Sequence, residues 1–576
     1  MLKNNRLGAL FIVISFLIFT CCHGPGRSIE RQAQVRGKYD VDTAQRIAQG
    51  KKGIVLGTTS PTAVNAGIEI LKKGGSAADA ALATSMAQIV FDIGSVVSFA
   101  GILCVVYYDA PTKRVYSMNA CFKTVLEEDN PLTIPGSEIP SGRGVLVPGF
   151  MAGVQALHNR FGKLPISQVF EPAIYYAENG FNISSRKVSS IQEHWQVLSR
   201  LPETRKIFLK DNGLYDKFYR TGDLFKQPLL AETLKKVVDF GADYMYRGDW
   251  AKKFVEIVRQ EGGKMTMRDL AEYQVVWDAP NHTTHNGYDV YALCQPSHGS
   301  VSLIQDLNLI ESANLRSRDH YTQSAESLYW LIKIARAGAA LRTFVYSPEI
   351  VKSHIPEGDF SYHSRLKKET AQLIWGKIKS GEWQEIERDI VQNGWNPSGH
   401  SDAVIAIDEE GSVAAVCHTF NQRTWGYVGI FVDGVSVPDS ANFQQPRVYQ
   451  AGPGNHLPDT TNPCLVLKDG LPIIASSCIG SVLHETSLQS IHNVLDFNMT
   501  PEKVVNTPRI QDPNWGNFSQ NIVSNSFTQG ILNQLQSLGQ HYNLVSYSRC
   551  YWIGVLLNQQ TGDLYGAVDI GHAQGY

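Results

Sequence analysis

Apolar residues recur along this chain with two different periods. From Ala403 to Ile407 and from Ser412 to Thr419 the residues alternate or are β-branched, and Asp408, Glu409, Glu410 and Gly411 separate the two runs. Such runs on either side of a short polar stretch with glycine predict a β-hairpin. A second hairpin is predicted from Ile102 to Tyr108 and Val115 to Met118, joined across Asp109 to Arg114. Gly53 to Gly57 reads as a strand, and the period then changes. Pro61 to Lys73 predicts a helix ended by Gly74 and Gly75, and Ala77 to Val90 predicts a second one. The small residues around their junction, Gly-Gly-Ser-Ala-Ala-Asp-Ala-Ala, allow these two helices to pack closely. Residues 23–50 are polar and basic, with Arg27, Arg31, Arg36 and Lys38 among them, and read as a linker.

Composition adds bounds to this picture. With 576 residues, 43% hydrophobic and 18% charged, the chain can bury a large core. Its 52 basic and 54 acidic residues give a net charge of −2, so no electrostatic case exists for nucleic acid as a partner, and a small molecule or peptide is the expected substrate. Lys3 and Arg6 precede an apolar run from Leu7 to Phe19, followed by Thr20, Cys21 and Cys22. That is the layout of an export signal, too short for the ~20 residues that cross a bilayer. A cysteine directly after it suggests a bacterial lipoprotein signal, with Cys21 or Cys22 carrying the lipid and a periplasmic or outer-surface location. Residues 1–22 are therefore expected to be removed or anchored, and any membrane association is expected only through that lipid.

The remaining cysteines, Cys104, Cys121, Cys294, Cys417, Cys464, Cys478 and Cys550, are an odd and scattered set without CxxC spacing. They predict buried thiols rather than a disulfide scaffold or a zinc site. His484, Glu485 and His492 have the wrong spacing for a zinc protease helix. Phosphate-loop and dinucleotide fingerprints are missing, so no cofactor and no metal is expected.

Candidate chemistry sits at the start of the first hairpin. Ser401 follows the loop Asn396-Pro397-Ser398-Gly399-His400 and opens the predicted strand. Were the chain cut between His400 and Ser401, the Ser401 hydroxyl would acquire its own base. The freed α-amino group has a pKa of about 7.7 to 8.0 and belongs to the same residue. That is the logic of an N-terminal nucleophile (Ntn) hydrolase. A serine at a strand start is otherwise a solvated loop residue.

Several strings together resemble the γ-glutamyltransferase (γ-glutamyltranspeptidase) family. The most specific is Ile68-Glu-Ile-Leu-Lys-Lys-Gly-Gly-Ser-Ala-Ala-Asp-Ala-Ala, and in order after it come Gly144-Val-Leu-Val-Pro-Gly-Phe, Leu164-Pro-Ile-Ser, Met265-Thr-Met-Arg-Asp-Leu, Gln295-Pro-Ser-His-Gly-Ser, Ser476-Ser-Cys-Ile-Gly-Ser and Asn506-Thr-Pro-Arg-Ile. The resemblance covers roughly residues 53–515. It implies an α/β chain with the α/β/β/α fold of Ntn hydrolases, two stacked sheets between helical layers, cut into a large-subunit region 51–400 and a small-subunit region 401–576 that stay associated. It also implies an acyl-enzyme on the nucleophile, formed from a γ-glutamyl or related amide. Ser401 matches the nucleophile position, where the family has Thr. Thr419 matches a second hydroxyl that orients it, Asn421 matches an Asn two residues on, and Gly480 with Ile479 matches the turn that holds the oxyanion.

The substrate-binding positions depart from that pattern. Cys121 stands where the family's Arg binds the substrate carboxylate, Asn442 where an Asp binds the ammonium group, and Asp459 and Thr460 where the family has two serines. A thiol cannot make the bidentate charged contact of an arginine. Lys123, Arg143 and Arg423 are candidate replacements. Three readings stay open at this level: an exported, self-processing amidase or acyltransferase, an inactive binding protein on the same fold, and a relative that passes the acyl group to an intramolecular amine.

Overall fold

In the computed structural model, the described residues are 36–136, 138–210, 217–343, 348–391 and 401–576. The export signal with Cys21 and Cys22, residues 23–35 of the expected linker, and His400 lie outside them.

Fourteen strands form two seven-stranded sheets. In chain order they are β1 (Ile47–Gly50), β2 (Ile54–Gly57), β3 (Ile102–Asp109), β4 (Arg114–Ala120), β5 (Val276–Asp278), β6 (Asn281–His285), β7 (Tyr288–Ala292), β8 (Ser401–Ile407), β9 (Val413–Thr419), β10 (Cys464–Lys468), β11 (Leu471–Gly480), β12 (Cys550–Leu557), β13 (Leu564–Val568) and β14 (His572–Gly575). The first sheet has the order β14-β2-β8-β9-β3-β4-β5 and the second β1-β13-β12-β11-β10-β7-β6. Every neighbouring pair in both is antiparallel. Both predicted hairpins form, as β8–β9 and β3–β4. The stretch read as a linker ends inside the fold, because Ile47–Gly50 pairs with β13.

Side-chain alternation shows why four layers result. Along β8, Val404 and Ala406 join a helical core, whereas Ala403, Ile405 and Ile407 join a core shared with Leu465, Ala475, Ile553 and Val555 of the other sheet. The third core lies beyond the second sheet, where Val466, Ile474 and Trp552 meet helical residues such as Leu307, Leu331 and Leu488. The β8 strand is thus buried on both faces and reads as a nearly continuous apolar run. Each fully buried large aliphatic side chain contributes about 1.5–3 kcal/mol.

Two helices brace the back of β8. Helix α1 (Pro61–Lys72) starts with Ser60 as its cap, the Ser60 hydroxyl accepting from the Ala63 amide, and with Pro61 in its first turn. Helix α2 (Ala77–Phe91) opens on a reciprocal box, in which Ser76 accepts from the Asp79 amide and Asp79 accepts from that of Ser76. Asp408 in the β8–β9 loop accepts from the Ala77 amide at 2.9 Å, which ties the hairpin to the start of α2. The helices touch at Gly67, where an added Cβ would lie 2.2 Å from the Thr84 hydroxyl. Among the described residues no helix is long and apolar enough to cross a membrane.

Candidate active site

Ser401 is the first residue of β8 and is 8% exposed. It pairs with Thr419, the last residue of β9, and Ala403 pairs with Cys417. Alternation turns Ser401 toward the space between the sheets and Asp402 toward the helices. The Cys417 thiol is pushed up by burial, with Asp459 and Asp402 adding to the shift and a hydrogen bond from Ser401 opposing it. The Ser401 hydroxyl therefore lies beside Cys417. Thr419 Oγ1 accepts the Asn421 amide at 2.9 Å, and Asn421 takes a left-handed φ of 49° to reach it.

The second component comes from the other sheet. Strand β11 ends at Gly480, whose φ of 99° turns the chain before the helix Leu483–Phe497. A Cβ at 480 would stand 2.4 Å from the Arg549 carbonyl oxygen, so the turn requires glycine twice over, by conformation and by space. Ile479 is not among the residues of positive φ, so its side chain is compatible with this turn. The Ser481 amide donates to the Arg549 carbonyl at 3.1 Å and pins the turn to the start of β12.

Ser401, Ile479 and Gly480, distant in sequence, line one cavity of about 840 Å³. Its wall includes Thr58 and Thr59 at the end of β2, Arg186 and Lys187 from the helix Ser185–Glu193, and His194 directly after that helix. Arg423, Arg549 and Tyr551 also face it. The Ser401 hydroxyl and a glycine turn of the kind that can offer backbone N–H groups to an oxyanion thus share one concave site.

Beneath Ser401 lies a buried polar group that the sequence reading missed. Asp402 accepts from the hydroxyls of Thr58 at 2.9 Å and Thr59 at 2.5 Å through Oδ1, while Oδ2 has no hydrogen-bond partner among the described residues. Its carboxyl is pushed up to about 7 by burial, with Asp92 adding to the shift and Thr59, Thr58 and Lys187 opposing it. Opposite Asp402 on β9, His418 is lowered to about 3 by burial and meets Gln88 Oε1 at 2.8 Å. A neutral ring donating from Nε2 satisfies that contact. The signal available in the sequence was the acidic residue directly after the candidate nucleophile; nothing local marked Thr58, Asp92 or Arg186.

Other expected binding residues lie away from the cavity wall. Cys121 is fully buried, its thiol pushed up by burial and by Asp459. Asp459 is held by the Thr461 amide at 2.8 Å and by Asn119 Nδ2 at 3.0 Å. Asn442 donates to Asp439 at 3.0 Å and accepts from Gln422 at 3.3 Å. Thr460 is half-buried, and its carbonyl packs against Gly299. Of the candidate replacements, Arg143 is engaged by Glu128 through two bonds of 3.0 and 2.8 Å, and Lys123 reaches the Glu272 carbonyl at 3.4 Å. Only Arg423 of the three lines the cavity.

Known proteins resemble this chain along most of its length. The family described as gamma-glutamyltranspeptidase matches residues 63–575, past residue 515 where the resemblance of individual strings fades. The glutathione hydrolase proenzyme of Bacillus subtilis (strain 168) is 27% identical over 564 residues, covering 92% of each chain. The acylase ACY 1 proenzyme of Pseudomonas sp. (strain SE83) is 26% identical, over 82% of this chain and 84% of that protein. Among solved structures, a cephalosporin acylase from Bacillus halodurans superposes with a TM-score of 0.74 at 19% identity, over 94% of this chain and 99% of that one, which establishes the shared fold.

Proposed function

The chain belongs to the gamma-glutamyltranspeptidase family, and from that premise we propose that it cuts itself between His400 and Ser401 and then uses Ser401 to open amide bonds. It is an enzyme of the glutathione hydrolase-like Ntn hydrolase kind. In the first event Ser401 Oγ attacks the His400 carbonyl carbon, the peptide C–N bond breaks, and water hydrolyses the resulting ester. The products are a large region ending at His400 and a small region, 401–576, with a free α-amino group on Ser401.

In turnover that amine takes the proton from Oγ as Oγ attacks the substrate carbonyl. The oxyanion forms against the turn at Ile479 and Gly480. Collapse expels the amine of the substrate, which leaves carrying the proton, and an ester on Ser401 remains. Water hydrolyses the ester, or a second amine captures the acyl group. A serine in place of threonine keeps this chemistry and frees χ1. Thr419 acts as a positioning residue through the β8–β9 pairing. The observation that carries the reading is the convergence of Ser401 with Ile479 and Gly480 on one cavity from two different sheets.

The substrate in this reading is a γ-glutamyl amide or a related acyl amide, as for the glutathione hydrolases and acylases to which the chain is similar. Residues 1–22 direct export, and Cys21 or Cys22 carries a lipid. The test is to trap the acyl-enzyme. With a slowly hydrolysed amide, the 401–576 fragment should gain the mass of one acyl group, and Ser401→Ala should gain none; acylation elsewhere would contradict the assignment.

A further inference from the structure

Two thiols meet behind the Ile479–Gly480 turn. Cys478 lies on β11 and Cys550 opens β12; Cys478 is paired with Trp552, and Gly480 with Cys550. The two cysteines are therefore diagonal neighbours on one face of the sheet. That face is turned toward the helices, where both join Trp552 and Leu488 in the core, whereas Ile479 turns to the opposite face. Their sulfur atoms are 3.2 Å apart, and both residues are fully buried. The Cys550 thiol donates to the Ile479 carbonyl at 2.7 Å and the Cys478 thiol to the Tyr551 carbonyl at 3.3 Å. With both hydrogens turned to carbonyls, the two sulfurs face each other directly.

The Ile479 carbonyl belongs to the same peptide unit as the Gly480 N–H, and that peptide is trans. Its oxygen and its hydrogen point to opposite sides, so the group that holds the oxygen also aims the hydrogen. Resting on the proposed use of this turn to hold the oxyanion at Ser401, we infer that Cys550 is a positioning residue for turnover and that a disulfide with Cys478 withdraws it. The oxidant is a small disulfide, of the kind an exported chain meets. Two S–H bonds break and one S–S bond forms, while the small disulfide takes up two electrons and two protons and leaves as two thiols. The protein's sulfurs close by about 1 Å in forming that bond. The Ile479 carbonyl then lacks its thiol donor, and the Gly480 N–H is free to turn from the oxyanion. Because the pair is sealed from solvent, the exchange is slow and proceeds as the strand ends open.

The test incubates the purified, processed protein for days with hydroxyethyl disulfide or with dithiothreitol. The probe is p-nitrophenyl acetate, counting only the hydrolysis that Ser401→Ala lacks. Oxidation should join Cys478 to Cys550, read by peptide mapping after the other thiols are blocked. The kcat should fall at least tenfold with KM unchanged, and dithiothreitol should restore it. Cys478→Ala, which leaves the donor in place, should keep the reduced rate under both conditions. Cys550→Ala should have the low kcat under both, and Cys550→Ser, which returns a donor, should recover most of it. The wild-type arms decide alone where Cys550→Ala does not fold. A chain uncut at residue 401, or a cut one without Ser401-dependent hydrolysis, defeats the amidase reading and this inference with it. An active protein whose two cysteines stay unlinked, or are linked at undiminished kcat, defeats the inference alone. So does a folded Cys550→Ala protein with the wild-type kcat.

Discussion

Ser401 and Thr419 face each other across the two central strands of one sheet, the first residue of β8 against the last of β9. This pairing places Ser401 at a fixed height on the sheet, and the Thr419 hydroxyl holds the turn that follows by accepting the Asn421 amide. Thr419→Val removes that acceptor from a buried position. The expected cost is about 1–3 kcal/mol of stability, with self-cleavage slowed at least tenfold. Thr419→Ser should restore both. Urea melts and the rate of appearance of the 401–576 fragment check this; a Thr419→Val protein that cleaves at the wild-type rate would remove the positioning role.

Gly480→Ala tests the turn from the other sheet. Its φ of 99° and the 2.4 Å approach of the Arg549 carbonyl leave no room for a methyl group. Backbone strain of about 1–3 kcal/mol is expected, with the turn displaced. Turnover should fall more than a hundredfold, a loss read from kcat/KM on protein whose folded state is verified by circular dichroism.

Much of the fold was legible because β8, β3 and the helices 61–72 and 77–91 obey local rules: apolar runs closed by polar turns, a serine cap, a glycine stop. Ser401, Ile479 and Gly480 were singled out through the resemblance of their strings, and the structure places them on one cavity. The rest of the cavity wall was not legible. Arg186, Lys187, Thr58 and Asp92 join Ser401 on one cavity wall only through tertiary packing, so no spacing in the sequence marks them. Strand β1 was missed for a related reason, since four residues with the burial of an edge strand look like a linker until β13 is beside them.

Buried carboxylates set the response to pH. Burial raises Asp402 and Asp306 to about 7, and Asp439 and Asp459 to about 6, above the ordinary aspartate value of 3.8. A raised pKa means that the folded state binds protons more tightly than the unfolded one. These groups favour folding most below about pH 4, and that contribution is lost as pH rises through 6 to 7. Asp402→Asn keeps an acceptor for Thr58 and Thr59 and removes one such group. Its stability curve, from denaturant melts between pH 4 and 8, should therefore slope less steeply than that of the wild type. An identical slope would show that Asp402 does not titrate in this range.

Beside β12, Arg509 Nη2 meets both oxygens of Asp569 at 2.7 Å, and Asp569 Oδ2 also accepts the Trp552 amide at 2.7 Å. Asp569→Ala leaves a buried guanidinium and an amide unpaired. A loss of about 3–5 kcal/mol is expected in equilibrium unfolding, and a loss under 1 kcal/mol would mean that solvent reaches Arg509.

The central claim concerns one peptide bond, and an intact-mass spectrum of the purified protein beside its Ser401→Ala variant tests it most directly. Two fragments in the wild type, one of them residues 401–576 beginning with Ser401, and a single chain in the variant are the predicted result. A wild-type chain that stays whole after long incubation near neutral pH, or one cut at another residue, would contradict it.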